Sequence, residues 1–230
     1  MKRIPEPELM EDDAQALAYA RADFSQPHDH FISLFSERFP NHSTGQALDL
    51  GCGPCDVLLR FARAFPACRI DGVDGSAAML AQGSEALANA ADVADRIQLF
   101  QRLLPGDDLP CPSYDTLLSN SLLHHLHNPH VLWQSVKQHA RTGTALFIMD
   151  LMRPNSPQRA QEMVDSHAAK EAEILKKDFF HSLCAAFTVE EIQEQLHEAG
   201  LAYLTIEAVS DRHLIVYGTI QSPATPQDHL

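Results

Sequence analysis

The residues best able to do chemistry in this 230-residue chain gather in three short stretches. The first is Gln46-Ala47-Leu48-Asp49-Leu50-Gly51-Cys52-Gly53-Pro54-Cys55-Asp56. Its apolar run reads as a buried strand, and Gly51 and Gly53 let the backbone turn sharply and approach a ligand where a side chain would intrude. The second, Arg69-Ile70-Asp71-Gly72-Val73-Asp74, ends in a carboxylate 23 residues after Gly51. That is close to the interval of about 20 at which an acid reaches a pair of ribose hydroxyls. The third is Asn120-Ser121 followed by His124, His125, His127 and His130, imidazoles suited to proton transfer or to a metal. A strand, a glycine turn and a helix N-terminus make a nucleotide-binding corner.

Several chemistries can be weighed on spacing alone. A dinucleotide fingerprint needs another glycine three residues after Gly53, and Asp56 stands there instead, which weakens a nicotinamide reading. Cys52-Gly53-Pro54-Cys55 is a CxxC pair, but no second pair or close His/Cys group completes a zinc set. No carboxylate or thiolate near His124 and His125 in sequence completes a convincing set there either, so no metal is expected.

Taken together, Asp49-Leu50-Gly51-Cys52-Gly53-Pro54, then Gly72-Val73-Asp74-Gly75-Ser76-Ala77-Ala78-Met79-Leu80, then Tyr114-Asp115-Thr116-Leu117-Leu118-Ser119-Asn120-Ser121-Leu122-Leu123-His124-His125-Leu126 resemble the class I S-adenosylmethionine-dependent methyltransferases of small-molecule type. The resemblance covers residues 46–150. It implies an α/β fold: a Rossmann-like, seven-stranded, mostly parallel sheet with a C-terminal antiparallel hairpin, an N-terminal helical lid and a helical insert after strand five. It also implies S-adenosyl-L-methionine as cofactor and S-adenosyl-L-homocysteine as product. Asp49 would lie near the methionine end beside Gly51, Cys52 and Gly53, and Asp74 at the ribose beside Gly75, Ser76 and Met79. Cys55 takes the place where the family often has a third glycine. The acid that often follows strand three is absent or displaced to Asp107, so Leu103 or Leu104 is expected against the adenine. Asn120 and Ser121 would face the ligand from strand four, and Tyr19 and Phe24 from the lid, although both rings would serve equally as packing.

For catalysis, His124 and His125 are candidates for a substrate or proton-transfer role, with Asp150 at the ligand-facing edge. Arg153, Arg212 and His213 are the candidate acceptor-binding residues, since arginines hold carboxylates bidentately. A small anionic or zwitterionic metabolite is the expected acceptor.

These groups need elements to position them. Residues 8–20 and 28–39 read as amphipathic helices, the second opened by Ser25 or Pro27. A strand at 47–50 leads to a helix over 57–64 capped by Asp56, and Ser76 caps a helix over 76–88. Strands follow at 97–101 and 116–119, then a helix over 129–140 opened by Pro129, and Gly143 breaks the chain before a strand at 145–150. Residues 156–185 read as inserted helices that roof a substrate pocket. Thr188 and Glu191 form a capping box for a helix over 188–199 that Gly200 ends. Strands at 201–209 and 213–220, joined by Ser210-Asp211-Arg212, demand an antiparallel hairpin. If the first of them runs with the rest of the sheet, Arg212 reaches the same pocket mouth as Arg153 and Asp150. One domain is expected over 1–230: a helical cap at 1–44, a cofactor-binding core at 45–151, an insert at 152–187, a final helix and hairpin at 188–220, and a polar tail at 221–230.

Composition sets the surroundings. A formal charge of −14 and the absence of any Lys/Arg run argue against a nucleic-acid partner. The 45% hydrophobic content suits a globular core. Met1-Lys2-Arg3-Ile4-Pro5-Glu6-Pro7 is no signal peptide, and no apolar run is long enough for a bilayer. Five cysteines, an odd number, then suggest reduced thiols in the cytoplasm. A small-molecule partner is expected; the oligomeric state stays open, a homodimer being admissible.

Overall fold

The computed structural model describes residues 1–42, 44–106 and 108–222. Its centre is a seven-stranded sheet in the order β3-β2-β1-β4-β5-β7-β6. The strands are β1 (Thr44–Leu50), β2 (Ala67–Asp74), β3 (Ile97–Gln101), β4 (Tyr114–Asn120), β5 (Ala140–Leu151), β6 (Thr205–Ala208) and β7 (His213–Thr219). Only β7 is reversed: it pairs antiparallel with both β5 and β6, so β6 runs with the others. The expected mostly parallel sheet with a terminal antiparallel hairpin is therefore present.

Both faces of the strands are buried, with side chains alternating between them. Ala47, Ile70, Leu118, Phe147, Met149 and Ile215 meet α2 (Ser25–Arg38) and α3 (Asp56–Ala64) in one cluster. Leu48, Leu50, Leu117, Ile148, Leu214 and Val216 meet α5 (His130–His139) and α8 (Val189–Ala199) in the other. A smaller cluster forms where α6 (Pro157–His167) and α7 (Glu173–Ala185) pack over Leu151, with Met163, Val164 and Leu183 inside. These two helices are the insert expected after strand five. A fourth joins α1 (Asp13–Arg21) to α4 (Ala77–Ala88) through Ala16, Ala78 and Met79.

Strand order reverses between β1 and β4, which opens a crevice at their carboxyl ends, the usual ligand position in open α/β sheets. Sequence and structure part at several boundaries. The first helix starts at Asp13, not residue 8, because Asp12 caps it by accepting from Gln15 N, and the Pro-containing residues before it have no regular secondary structure. Asp56 does not cap α3; it is the first helical residue, and Cys55 caps it in the left-handed conformation. Gly143, with φ +95, lies inside β5 rather than before it. The strand expected at 201–209 shrinks to Thr205–Ala208, because Gly200 continues as a left-handed cap and Leu201 N closes a turn onto Leu196 O. The capping box Thr188–Glu191 and the Ser76 cap are as expected. The polar tail expected at 221–230 lies mostly at residues 223–230, outside the described residues, as does Asp107.

Candidate active site

The glycine corner is built tightly. The N–H groups of Gly51 and Cys52 both donate to Val73 O at 2.8 and 3.0 Å, locking the end of β1 to the end of β2. Gly51 has φ +76, and a Cβ there would stand 2.8 Å from Leu122, so both conformation and space require glycine. Asp74 closes the corner from the next strand: its carboxylate accepts from Gly53 N at 2.8 Å and Ser76 N at 2.8 Å. Cys55, where the third glycine was missing, takes a glycine-like φ of +70. Its sulfur fits because α4 carries Gly83 opposite, where a Cβ would meet Sγ at 2.5 Å. The hydrogen bond with Cys55 and burial push the Cys52 thiol up, and both thiols are buried and free.

Within the crevice, some polar atoms are left without a partner. Asp49 is 2% exposed, and its Oδ1 accepts nothing from the protein. Burial, and then the nearby Asp74, raise its carboxyl to about 7. Asn120 Oδ1 at the tip of β4 is likewise unpaired. Ser121 beside it has φ +56, an uncommon conformation for a side-chain-bearing residue that turns the chain out of the strand. Burial also raises the Asp74 carboxyl, against the pull of its backbone donors. Buried acceptors without donors are costly, so this crevice suits a donor-bearing ligand.

Two cavities meet here. The first, about 470 Å³, is lined by all fourteen residues expected at the cofactor: Asp49, Gly51, Cys52, Gly53, Asp74, Gly75, Ser76, Met79, Leu103, Leu104, Asn120, Ser121, Tyr19 and Phe24. The second, about 440 Å³, lies between the sheet edge and the α6–α7 insert and shares Tyr19, Phe24, Asn120, Ser121 and His125 with the first. Tyr19 and Phe24 pack ring on ring, 4.7 Å between centroids, at the junction. Leu103 is 66% exposed, but a Cβ on Gly75 would touch both its side chain and that of Leu9.

At the floor of the second cavity lies a cluster of ionisable side chains. His124 Nδ1 bonds Asp150 Oδ1 at 2.5 Å, and Asp150 also accepts from Leu123 N and Leu151 N, each at 2.7 Å. Burial opposes charge on His124, yet Asp150 and then Glu6 raise its pKa above the ordinary value; burial would raise Asp150, and His124 holds it below. Burial, then His124, lower His125 to about 3. Glu6 approaches both rings from the N-terminus, 3.5 Å from His124 Nε2 and 3.3 Å from His125 Nδ1. Burial raises its carboxyl against the opposing effect of His124.

Glu6 belongs to an extended strap that the sequence did not flag as part of a site. Arg3 anchors it, donating to the carbonyls of Ala185 at 2.6 Å and of His124 and Leu126 at 2.9 Å each, while stacking 3.9 Å over the Phe187 ring. Ser76 Oγ donates to Met10 O at 2.6 Å, and Gln15 donates to Asp178 at 2.9 Å, so the cap is tied to glycine corner and insert alike. His28 was also missed: its Nδ1 lies 2.5 Å from Asp56, and both residues line the first cavity. Burial opposes ionisation of Asp56, but His28 and Arg60 hold its carboxyl down to about 2. Neither Glu6 nor His28 carries a spacing signal, because each acts on a partner distant in sequence.

The expected acceptor residues divide. Arg212 and His213 line the second cavity, Arg212 beside Asp211 and His167 at 3.1 and 3.0 Å. Burial, then Arg212, lower His213 to about 4, so it is a neutral ring. Arg153 is not brought to that mouth. Its side chain is 6% exposed, pairs with Glu191 at 2.6 Å and donates to Ala186 O, fastening β5 to the start of α8. Asp150 does not stand on a charged loop either; it is buried inside β5 and reaches the cavity only through His124.

The sheet is of the doubly wound α/β class, and its crevice lies where such sheets take their ligands. Residues 48–146 match a family described as a methyltransferase domain. A trans-aconitate 2-methyltransferase of Deinococcus radiodurans is 34% identical over 110 residues, 47% of this chain and 39% of its own length. The Escherichia coli trans-aconitate 2-methyltransferase is 31% identical over 86 residues, 37% of this chain and 31% of its own. The chain therefore matches well under half the length of these relatives. A crystal structure of an S-adenosylmethionine-dependent methyltransferase from Aquifex aeolicus superposes with a TM-score of 0.64 at 15% identity, covering 90% of this chain and 97% of that one. A plantazolicin methyltransferase holding S-adenosylhomocysteine gives 0.63 at 12% identity, covering 90% of each chain. Residues 48–146 thus match a methyltransferase domain, and the chain as a whole shares the fold of S-adenosylmethionine-dependent methyltransferases. Its unpaired Asp49 and Asn120 acceptors fit that cofactor, which carries an ammonium and ribose hydroxyls as donors. No helix among the described residues is long and apolar enough to cross a membrane.

Proposed function

We propose that this chain methylates a small anionic or zwitterionic metabolite, taking cofactor in the first cavity and acceptor in the second. The observation that carries the reading is the junction itself: Asn120, Ser121 and His125 line both cavities, so one ligand can meet another there. S-adenosylmethionine supplies a methyl group already activated on a sulfonium, so the protein's task is alignment and proton handling.

Asp49 binds the ammonium and Asp74 the ribose hydroxyls, using carboxylate lone pairs left over from its backbone bonds. Leu103, Leu104 and Met79 give the adenine an apolar bed. Tyr19 and Phe24 keep water from the junction. His124, with Nδ1 held by Asp150, turns Nε2 towards Glu6 in the second cavity, and Asp150 serves as its positioning residue. Arg212, Lys177 and His181 supply the basic side of the second cavity, and Arg212 takes the carboxylate. The two relatives named for trans-aconitate, a carboxylic acid, support an anionic acceptor.

The test is calorimetry with S-adenosylhomocysteine, followed by methyl-transfer assays over carboxylic acids, amino acids and neutral amines. Binding in the micromolar range with turnover confined to carboxylate-bearing acceptors is expected. Heat of binding without turnover on any acceptor would reduce the chain to a cofactor-binding module; turnover on bulk tRNA would replace the acceptor class.

A further inference from the structure

The carboxylate missing from the histidine run in sequence arrives in space. Glu6, His124 and His125 are a group among the described residues whose potential ligand atoms all lie within 4.8 Å of one another. Each points an electron pair inward. Asp150 accepts from two backbone N–H groups and so bonds His124 as an acceptor, which puts the imidazole proton on Nδ1 and leaves Nε2 facing Glu6. His125 uses one ring nitrogen on the Pro7 backbone, and its Nδ1 is buried without a hydrogen-bond partner. Ser182 Oγ donates to Glu6 Oε1 at 3.0 Å, which leaves the carboxylate's remaining lone pairs and the two imidazole nitrogens facing one another, a spot suited to a cation or a shared proton.

The distances favour the larger occupant. Glu6 Oε1 is 3.5 Å from His124 Nε2 and 3.3 Å from His125 Nδ1. These are long for N–H···O bonds, which cluster near 2.9–3.0 Å. Ligand atoms placed tetrahedrally at about 2.0–2.1 Å from zinc stand roughly 3.3–3.4 Å from each other. The side chains are 11%, 3% and 23% exposed for Glu6, His124 and His125, so the spot is sheltered. Asp150 behind His124 also reproduces the carboxylate–histidine pairing that orients metal-bound imidazoles.

We propose that Glu6, His124 and His125 bind a divalent transition-metal ion whose remaining coordination positions open into the second cavity and hold an oxygen of the acceptor. Three protein ligands with a free position is the pattern of a catalytic rather than a structural site. Two imidazoles and a carboxylate suit Zn²⁺, Mn²⁺, Fe²⁺ or Co²⁺, whereas Mg²⁺ and Ca²⁺ prefer oxygen throughout. All three ligands line the second cavity, and Glu6 and His124 do not line the first. The assignment of the open position to the acceptor rests on the methyl-transfer reading; the metal site itself does not. With the ion in place His124 Nε2 is a ligand, the metal lowers the pKa of the acceptor oxygen it holds, and the proton released passes to solvent through the second cavity. Because Glu6 comes from the strap, metal binding would also latch the cap onto the β4 loop.

The 230-residue chain, stripped with a chelator, would be titrated with Zn²⁺ by calorimetry and with Co²⁺ by visible absorption. One equivalent should bind at micromolar affinity or tighter, with the d–d bands of nitrogen-ligated cobalt. Glu6→Gln and His125→Asn should each weaken binding at least 100-fold. S-adenosylhomocysteine binding to Glu6→Gln, measured on the same sample, should be unchanged and reports its fold. Absence of a one-to-one event in the unaltered protein, or equal affinity in both variants, overturns the metal and leaves shared protons in its place. Metal binding in a protein that gives no heat with S-adenosylhomocysteine would instead remove the methyl-transfer reading and leave the metal site standing.

Discussion

Glu6 Oε1 stands 3.5 Å from His124 Nε2, although one residue belongs to the N-terminal strap and the other to the loop after β4. The strap is thus a wall of the second cavity rather than an appendage. Its anchor is Arg3, whose guanidinium serves three carbonyls on two different segments. The same contacts fix the height of the histidine loop above the sheet.

Arg3→Ala should therefore loosen cap and loop together. Hydrogen bonds to charged groups are worth about 1.5–3 kcal/mol each, and partial hydration of the freed carbonyls would offset part of that. A loss of about 2–4 kcal/mol in unfolding free energy is expected from three such bonds after that offset. Chemical denaturation measures it, and limited proteolysis should show new cleavage within the first ten residues. A variant as stable and as resistant as the unaltered protein would show that the strap is not held by Arg3.

Cofactor binding should be linked to a proton. Burial and Asp74 hold the Asp49 carboxyl at about 7 in the folded protein, well above the ordinary carboxylate range. A raised carboxyl stabilises the fold most below its unfolded pKa, and that contribution fades as pH climbs through the folded value. A cationic ammonium reverses the preference by favouring the ionised form. Affinity for S-adenosylhomocysteine should rise with pH up to about 7, by as much as tenfold per unit, then level off. Calorimetry at pH 6 in buffers of differing ionisation heat should detect proton release. Asp49→Asn should abolish both the release and the slope.

The two arginines once expected together should now behave differently. Arg212→Ala should raise KM for a carboxylate acceptor about tenfold or more while leaving stability nearly unchanged, since its partners Asp211 and His167 are partly exposed. Arg153→Ala should do the reverse. It leaves Glu191 Oε1 and the Ala186 carbonyl without their donor, although Glu191 Oε2 keeps Thr188 N, and a loss of about 1–3 kcal/mol is expected. Denaturation and steady-state kinetics on both variants separate the roles, and a KM effect confined to Arg153→Ala would reverse the assignment.

Much of this was legible in the chain because its cause is local. The Gly51 and Gly53 bend, the Ser76 cap and the Thr188–Glu191 box depend on neighbours within a few residues, and the strands announce themselves by apolar runs. Placing Asp49 and Asp74 at neighbouring strand ends follows once those strands are parallel, as the β1–β2 register shows. The failures have a common physical origin. Whether Arg153 turns inward to Glu191 or outward to a pocket depends on how α8 packs, which no sequence interval encodes. Glu6 was invisible as a partner of His124 because the Pro-Glu-Pro segment has no periodicity and that partner lies on another element. Asp56 has a cap's residue type, but the left-handed turn at Cys55 moves the helix start by one position.

Cys55 and Gly83 offer the sharpest test of how the cofactor loop is shaped. Cys55 adopts φ +70, where a side chain costs roughly 1–2 kcal/mol relative to glycine. Gly83 sits inside α4, where glycine is about 1 kcal/mol worse than alanine. Each residue is poor for its own backbone, and each accommodates the other, since a Cβ on Gly83 would lie 2.5 Å from Cys55 Sγ. Gly83→Ala alone should therefore destabilise the protein despite the better helix propensity, because the buried sulfur cannot swing into open space. In a Cys55→Gly background that clash is gone, leaving only the closer approach of Gly53 O at 3.1 Å. The cost of Gly83→Ala should then fall by about 1–2 kcal/mol, an interaction energy well above the error of a double-mutant cycle. Additive effects within about 0.5 kcal/mol would mean that the loop yields to the sulfur without the help of α4, and that Cys55 and Gly83 are not a matched pair.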